Sequence, residues 1–307
     1  MSMRHIGGLA ATVALLCSCV AEVKIDGGTV TVTPEPEPEP TPEEMPVKLP
    51  LTINFSADDA LGARFSEGDM VGLFVVAERD EVSGASDNMY GNVQFVLENG
   101  RWNPSEEMWL TKRKTGADIY CYSPYSGEVT TDGVLETGVR TEQNTEDGYV
   151  ASFVLWGKKT GVKPSEKPVS ITMSNLMSCL NLVVKAGNGW TAKEMPAAVV
   201  HYCALAAKAK VNVLTGTIAA DGDVEEITAR NNGDGTYSAI VVPQTVKDQE
   251  LVKIRFGSDE YLLKTSIDLL PGKVHTCEIT VSKTNGSFNA TIVGWETDNN
   301  DYGGPVD

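Results

Sequence analysis

Apolar and polar residues alternate along the chain over 48–56, after a long polar stretch. The apolar positions are Leu49, Leu51, Ile53 and Phe55. A period of two predicts a β-strand with one buried face. Similar short apolar segments predict further strands at 71–76, 93–97, 119–122, 150–156, 180–184, 197–203, 237–242, 251–256, 261–264, 274–281 and 288–293.

Dipeptides that favour tight turns lie between these segments. They are Asn99-Gly100, Asp132-Gly133, Asp147-Gly148, Asp221-Gly222, Asn232-Gly233, Asp234-Gly235 and Asn285-Gly286. Helical patterning is scarce, with one short candidate turn at 174–178. Strands at this spacing predict an all-β fold of antiparallel sandwiches. Because so many strands exceed the need of one small sandwich, we predict two β-sandwich domains, at 47–188 and 189–307.

The N-terminal region has the layout of a secretory signal peptide, in which a basic start precedes an apolar run too short to span a bilayer. The residues LCSC at 16–19 are similar to the bacterial lipobox. Cys19 is the better lipidation candidate than Cys17, because Ser18 precedes it and a polar segment follows it. We therefore predict a lipoprotein signal peptide at 1–18 and a lipid on Cys19. An ordinary signal peptide with two incidental cysteines is the alternative.

A spacer follows the predicted anchor. Residues 34–44 read PEPEPEPTPEE, and proline at every second position forbids helix and favours extended polyproline II. We predict that 19–46 form a lipid-anchored flexible linker between the membrane and the fold.

Composition excludes several classes of function. The 307 residues include 42 acidic and 25 basic ones, and the net charge of −17 disfavours a nucleic-acid-binding surface. Only three histidines are present, which limits histidine-based chemistry. The sequence lacks the motifs of zinc proteases, P-loop NTPases, serine hydrolases and dinucleotide-binding enzymes. We therefore predict no catalytic residue, no metal site and no cofactor.

Carboxylates are the remaining candidates for chemistry. The pairs Glu106-Glu107 and Glu225-Glu226 are poor glycosidase candidates, because adjacent strand residues point to opposite faces. Asp298 and Asp301 lie near asparagines but lack the spacing of a calcium-binding EF-hand loop. A solvated surface is the better interpretation of all of them.

Four cysteines remain after the predicted signal peptide. An even number in an exported protein is compatible with disulfides, but wide spacings and apolar surroundings favour buried free thiols. The four are Cys121, Cys179, Cys203 and Cys277.

Tryptophans offer a possible binding surface. An exposed group of them could stack on sugars, whereas core packing is their commoner place in a β-sandwich. The five are Trp102, Trp109, Trp156, Trp190 and Trp295.

Five longer segments form a recognisable series. They are GDMVGLFVV at 68–76, YGNVQFVLENGRWNP at 90–104, and then FVLWGKKTGV, PVSITMSNLMSCLNLVVKAG and DGTYSAIVVPQTV. In order and spacing the series resembles the fimbrillin family, surface lipoproteins of anaerobic gut and oral bacteria, over about 47–296. The resemblance implies two transthyretin-like β-sandwich domains and a role in adhesion as a stalk, tip or anchor subunit of a pilus. It also implies export as an outer-membrane lipoprotein, removal of an N-terminal strand by a trypsin-like protease, and polymerisation with other pilus subunits by strand exchange.

Arg64 is the single basic residue in the polar loop ADDALGARFSEGD at 57–69. Exposed loops of small residues are preferred sites of proteolysis, and stalk subunits of the resembled family carry their processing arginine at this place. Loss of the preceding strand would leave an apolar groove with unpaired backbone groups, which another chain's strand can fill. We therefore expect that this strand plugs the groove in the uncut chain. The plug residues are Leu49, Leu51, Ile53 and Phe55.

The donor strand is harder to place. The candidate at 288–295 could instead complete its own domain, and the tail ETDNNDYGGPVD after it lacks alternating apolar residues. A tip or anchor subunit that keeps its first strand therefore stays open. The rival class is a glycan-binding surface lipoprotein, for which coplanar exposed tryptophans would be the sign. An enzyme is the weakest alternative.

Overall fold

Strands form most of the computed structural model, which describes residues 23–25, 28–30, 48–58, 62–77, 88–111, 116–284 and 287–298. The strands are β1 (Val23–Ile25), β2 (Gly28–Val30), β3 (Lys48–Pro50), β4 (Ile53–Ala57), β5 (Met70–Ala77), β6 (Asn88–Glu98), β7 (Arg101–Pro104), β8 (Trp109–Thr111), β9 (Ala117–Ser123), β10 (Val134–Gly138), β11 (Leu155–Val162), β12 (Val169–Asn175), β13 (Ser178–Ala186), β14 (Val199–Asn212), β15 (Thr217–Thr228), β16 (Arg230–Asn231), β17 (Thr236–Val241), β18 (Thr245–Phe256), β19 (Asp259–Asp268), β20 (Val274–Thr284) and β21 (Ser287–Thr297). One short helix, α1 (Glu146–Val150), and one 3₁₀ helix (Ala192–Ala197) accompany them in the described part.

The chain divides into two units, Met1–Met45 and Pro46–Asp307. In the first unit, β1 and β2 pair as an antiparallel hairpin in which Val23 faces Val30. The predicted signal peptide, Cys19 and the proline-rich run at 34–44 lie outside the described residues. None of the described helices is long and apolar enough to cross a membrane.

A seven-stranded sheet contains most of the early strands, in the order β4-β12-β11-β9-β5-β6-β7. Adjacent strands in this sheet are antiparallel, except at one edge, where β4 runs parallel to β12. Short strands β3 and β8 pair beside it. The core residues Phe95 and Ile119 are almost fully buried on strands where buried and half-buried positions alternate. Leu73 is fully buried in β5, a continuous apolar strand in the interior of the sheet with five consecutive buried residues.

Two further sheets contain the later strands. One has the order β10-β14-β18-β19, with β15 also paired to β14, and the other has the order β16-β17-β13-β20-β21. Tyr202 and Tyr237, from the two different sheets, are both fully buried. The several sheets in sandwich-like arrangement confirm the all-β fold class.

Strand β10 comes early in the chain but pairs with β14 of a later sheet. Sheet membership changes again between β12 and β13, at 175–178. The division into domains at 47–188 and 189–307 stays a prediction.

Trp156 joins the seven-stranded sheet to the β14–β15 hairpin. Its indole N–H donates to the carbonyl oxygen of Val213 at 2.7 Å. Gly216 has φ +73°, and a Cβ there would lie 2.8 Å from the Trp156 ring. Only glycine fits both the backbone conformation and this close approach.

Two local predictions are wrong. No helix forms at 174–178, because the side-chain oxygen of Asn175 accepts from the backbone N–H of Met177 at 3.1 Å and turns the chain from β12 into β13. The strand predicted at 150–156 begins only at Leu155, since α1 occupies Glu146–Val150. Thr145 caps that helix by accepting from the N–H of Gly148 at 3.1 Å.

The turn dipeptides meet different fates. Asn99 and Gly100 both have positive φ, at 53° and 69°, and join β6 to β7 as predicted. Asp147-Gly148 instead lies inside α1. Asp221-Gly222 lies inside β15, close to an irregularity in its pairing with β14.

Candidate functional site: the first strand and the Arg64 segment

The first strand of the larger unit consists of β3 and β4, joined by Leu51 and Thr52. Its β3 part pairs with β8, and the N–H of Leu51 donates to the carbonyl oxygen of Met108 at 2.8 Å. Its β4 part pairs in parallel with β12, from Ile53 opposite Val169 onward. Strand β4 therefore occupies one edge of the seven-stranded sheet, with a single strand neighbour in that sheet.

The side chains of this strand alternate as the sequence predicts. Ile53 is 1% exposed, and Leu51 and Phe55 are each 8% exposed. Leu49 is half-buried, whereas Thr52, Asn54 and Ser56 are exposed. One face of the strand therefore supplies core residues and the other faces solvent.

An aromatic cluster surrounds Phe55. The ring centroid of Phe55 lies 5.2 Å from that of Phe95 and 5.2 Å from that of Trp102, and both pairs are edge-to-face. The indole N–H of Trp102 donates to the carbonyl oxygen of Phe55 at 3.2 Å. Since Trp102 belongs to β7, this contact joins the two edge strands of the seven-stranded sheet.

Arg64 is exposed between two residues that are held in the fold. Ala63 before it is 2% exposed. Phe65 after it is half-buried, with its ring centroid 5.0 Å from that of Trp102 in an edge-to-face arrangement. A protease can thus reach the Arg64 side chain, but the bond after it lies in an anchored segment.

The chain just beyond Phe65 is tied to the β6–β7 hairpin. The carboxylate of Glu67 accepts from the backbone N–H groups of Asn99 and Gly100, each at 2.7 Å. The N–H of Gly68 donates to the carbonyl oxygen of Leu97 at 2.8 Å. Residues after Arg64 consequently belong to the body of the fold.

A cleft of about 370 Å³ lies beside Arg64. Its lining includes Ala63, Arg64 and Phe65 from this segment, and Asp147 and Phe153 from α1 and the residues that follow it. The cleft gives open space next to the arginine side chain.

The glutamates considered as catalytic candidates are exposed or form an ion pair. Glu106 and Glu107 are exposed. Glu226 pairs with Lys253, and its Oε1 lies 3.2 Å from Nδ1 of His201. Burial alone raises the pKa of Glu226, but the hydrogen bond from Lys253 and the charge of His201 outweigh it and lower the pKa. In the described ranges no three His, Cys, Asp or Glu residues come together as a metal-ion site.

The tryptophans do not share an exposed face. Trp156 is buried, and Trp102 packs in the aromatic cluster. The indole N–H of Trp190 donates to the hydroxyl of Tyr261 at 2.8 Å. Trp295 is half-buried, which leaves Trp109, at 40% exposure, as the exposed member of the five. The described residues therefore offer no coplanar tryptophan platform for sugars.

All four cysteines of the described chain are free thiols, as expected. Burial raises the pKa of Cys121 well above its usual range, and that of Cys179 and Cys277 to about 11. Cys203 is half-buried, and its pKa is also raised to about 11, first by burial.

These thiols should resist alkylation in the folded protein. Because the thiolate is the reactive form, iodoacetamide at pH 8 should modify the native chain from Val20 onward slowly, and Cys203 first as the pH rises. In denaturant all four should react quickly. Rapid labelling of the native protein, measured by mass spectrometry, would show that the thiols are accessible and would contradict the expectation.

The donor-strand candidate at 288–295 lies in β21, which pairs antiparallel with β20 of the same chain. This segment therefore completes its own sheet at an edge. Of the two roles considered for 288–295, donor strand or strand of its own domain, the observed pairing agrees with the second.

Two residues of the site escaped the sequence analysis. The sequence indicates Phe65 only as part of the polar loop, and Trp102 only as a core or sugar-stacking residue. One feature of the sequence could have indicated Phe65, because an aromatic residue directly follows the predicted processing arginine. The contact between the two rings depends on the tertiary fold.

Together, the fold and this site define an all-β protein of several sheets whose first strand lies at a sheet edge and precedes an exposed arginine. The fimbrillin-like family model matches residues 58–295, and the chain belongs to this family. Membership confirms the resemblance and places the chain among fimbrial proteins of the cell surface.

Solved structures show the same fold. A protein from Bacteroides uniformis, provisionally described as a cell adhesion protein, is similar with a TM-score of 0.61 and 17% identity, over 86% of this chain and 100% of the other. Another from Bacteroides ovatus, with the same provisional description, is similar with a TM-score of 0.60 and 22% identity, over 82% of this chain and 97% of the other. Comparison with curated protein sequences finds no match.

Proposed function

We propose that the chain is a structural subunit of a cell-surface pilus that assembles by strand exchange after cleavage at Arg64. The observation that carries the proposal is the position of β4 at a sheet edge, with its apolar face buried and an exposed arginine shortly after it. The role is structural and needs no cofactor. Family membership supports the pilus role, and the site supports the mode of assembly.

Removal of β3 and β4 would create a matched acceptor for another strand. Strand β12 would lose its parallel neighbour, and its backbone groups opposite 53–57 would become unpaired. Ile171 and Met173 on β12, now 2% and 0% exposed, belong to the core that lies next to β4. A strand from another subunit could restore both the hydrogen bonds and the apolar contacts.

The energy of exchange is large enough for lasting assembly. Leu51, Ile53 and Phe55 are buried in the uncut chain, and burial of such side chains contributes about 1.5–3 kcal/mol each. A donor strand with equivalent residues would recover this stabilisation together with the backbone ladder, less the cost of ordering the donor.

The N-terminal region supplies the route to the surface in this proposal. Signal residues 1–18 direct export, lipid on Cys19 attaches the precursor to the outer membrane, and 19–46 act as a spacer. A trypsin-like protease that cuts after Arg64 would release the lipid, the spacer and the first strand together. An anchor subunit would keep the lipid, the spacer and the first strand. Whether the chain is cut after Arg64 therefore distinguishes a stalk subunit from an anchor subunit.

Limited trypsin digestion tests the proposal. The chain from Val20 onward should be cut early after Arg64, and the product should form oligomers that survive heating in detergent. Arg64→Ala should prevent both events, whereas Arg140→Ala, at another exposed arginine, should leave them unchanged. Cleavage without oligomers, or unaltered assembly of Arg64→Ala on cells, would contradict strand exchange after processing.

A further inference from the structure

Trp102 contacts the chain on both sides of Arg64. On the upstream side it packs edge-to-face on Phe55 at 5.2 Å and donates its indole N–H to the Phe55 carbonyl oxygen at 3.2 Å. On the downstream side it packs edge-to-face on Phe65 at 5.0 Å. Phe55 belongs to the strand that would leave after cleavage, and Phe65 would become the new N-terminal residue.

The tryptophan itself lies outside the segment that a protease would bind. It belongs to β7, which pairs with β6 through the hairpin at Asn99 and Gly100. That hairpin also holds the carboxylate of Glu67 through two backbone N–H groups. Trp102 is thus fixed in the body of the fold, while both of its aromatic partners flank the bond after Arg64.

A protease must draw the residues on both sides of a bond into its own active site. In an anchored segment this requires local opening, and the rate of cleavage then follows the population of the open form. The burial of Ala63 and the packing of Phe65 on Trp102 both oppose that opening.

We propose that Trp102 is a positioning residue that controls processing after Arg64, because it holds both the strand to be removed and the residue that follows the cut. The proposal rests on the proposed function and specifies how its cleavage step is regulated. After the cut, the same ring still holds Phe55, so the severed strand stays in place until a donor strand displaces it. The contact therefore delays exposure of the acceptor groove.

The test compares tryptic cleavage rates in variants of the chain from Val20 onward. Trp102→Leu should raise the rate of cleavage after Arg64 about tenfold, which corresponds to about 1.4 kcal/mol in the local opening free energy. Trp102→Phe keeps a ring for both aromatic partners and loses the N–H, so its rate should be intermediate. Trp190→Leu removes another half-buried tryptophan, which packs on Phe256 in a later sheet, and should leave the rate unchanged.

Cleavage after Arg140 serves as the internal reference, because a general loss of stability would accelerate both cuts. The ratio of the Arg64 rate to the Arg140 rate should rise most in Trp102→Leu, by less in Trp102→Phe, and not at all in the control variant. A second readout is how long the cut N-terminal fragment stays bound to the rest of the protein, measured by its co-elution on size-exclusion chromatography. Trp102→Leu should shorten this time. Equal acceleration at both arginines, or no acceleration at Arg64, would overturn the proposal.

The same digestion separates this inference from the proposed function. If the wild-type chain is cut after Arg64 but never forms oligomers, strand exchange is wrong. The ratio of the Arg64 rate to the Arg140 rate then still tests the role of Trp102. If only Trp102→Leu is cut, the control by Trp102 is supported. If neither chain is cut after Arg64, both the processing step and its control are wrong.

Discussion

Replacing Ile53 by aspartate should release the first strand and make the chain associate without any protease. Ile53 is 1% exposed in a core position of β4, and burial of an unpaired carboxylate costs on the order of 3 kcal/mol or more. Strand β4 has only β12 as a neighbour in its sheet, so detachment is the cheapest way to hydrate the new charge. The freed edge of β12 would then be open to strands from other chains.

Asn54→Asp is the matched control for this variant. It adds the same charge one residue away, on the exposed face of the same strand. Thermal unfolding and size-exclusion chromatography should show a less stable, oligomeric Ile53→Asp chain beside an unchanged Asn54→Asp chain. If Ile53→Asp is as stable as its control, the strand is no part of the core. If it is destabilised but monomeric at every concentration, strand exchange loses its support.

Local alternation was enough to predict the first strand but not its partner. The pattern over 48–56 places Ile53 and Phe55 on one face and their neighbours on the other, as the structure shows. The partner β12 comes much later, and the hydroxyls of Ser56 and Thr172 meet across 116 residues. Pairing at that separation depends on the whole sheet, so the local pattern of apolar and polar residues does not reveal which strand is the partner.

The contacts of Trp102 show the same limit within the candidate site. An indole in the run NGRWNP is readable as an aromatic strand residue. Its contact with Phe55 follows from the approach of β7 to β4, the last and the first strand of the sheet order. Its contact with Phe65 depends on where the segment before β5 lies in the fold. The exposure of Arg64 was predictable, because a charged residue in a polar loop normally faces solvent, and the structure shows it exposed. Cleavage after Arg64 stays a prediction.

The sequence does not predict segment 134–143 as part of the core, because VLETGVRTEQ contains few apolar residues. In the structure β10 pairs with β14, and Gln143 is fully buried. Its amide nitrogen donates to the carbonyl oxygens of Arg140 and Ile240, at 2.9 and 2.7 Å. Its amide oxygen accepts from the N–H of Ile240 at 2.8 Å. One polar side chain thus ties an early segment to β17 of a later sheet.

Gln143→Met should lower the free energy of unfolding by about 3 kcal/mol, because it keeps the volume of the side chain and leaves buried backbone groups of Ile240 and Arg140 without partners. The loss should be largest near β17, so exchange of the Ile240 amide hydrogen should accelerate in peptides from that strand. Glu142→Met places the same side chain at the exposed neighbouring position and should change neither quantity. Chemical denaturation and hydrogen exchange followed by mass spectrometry measure both effects. Equal stability of the two variants would mean that the Gln143 hydrogen bonds contribute nothing net, and that apolar packing alone joins 134–143 to the later sheets.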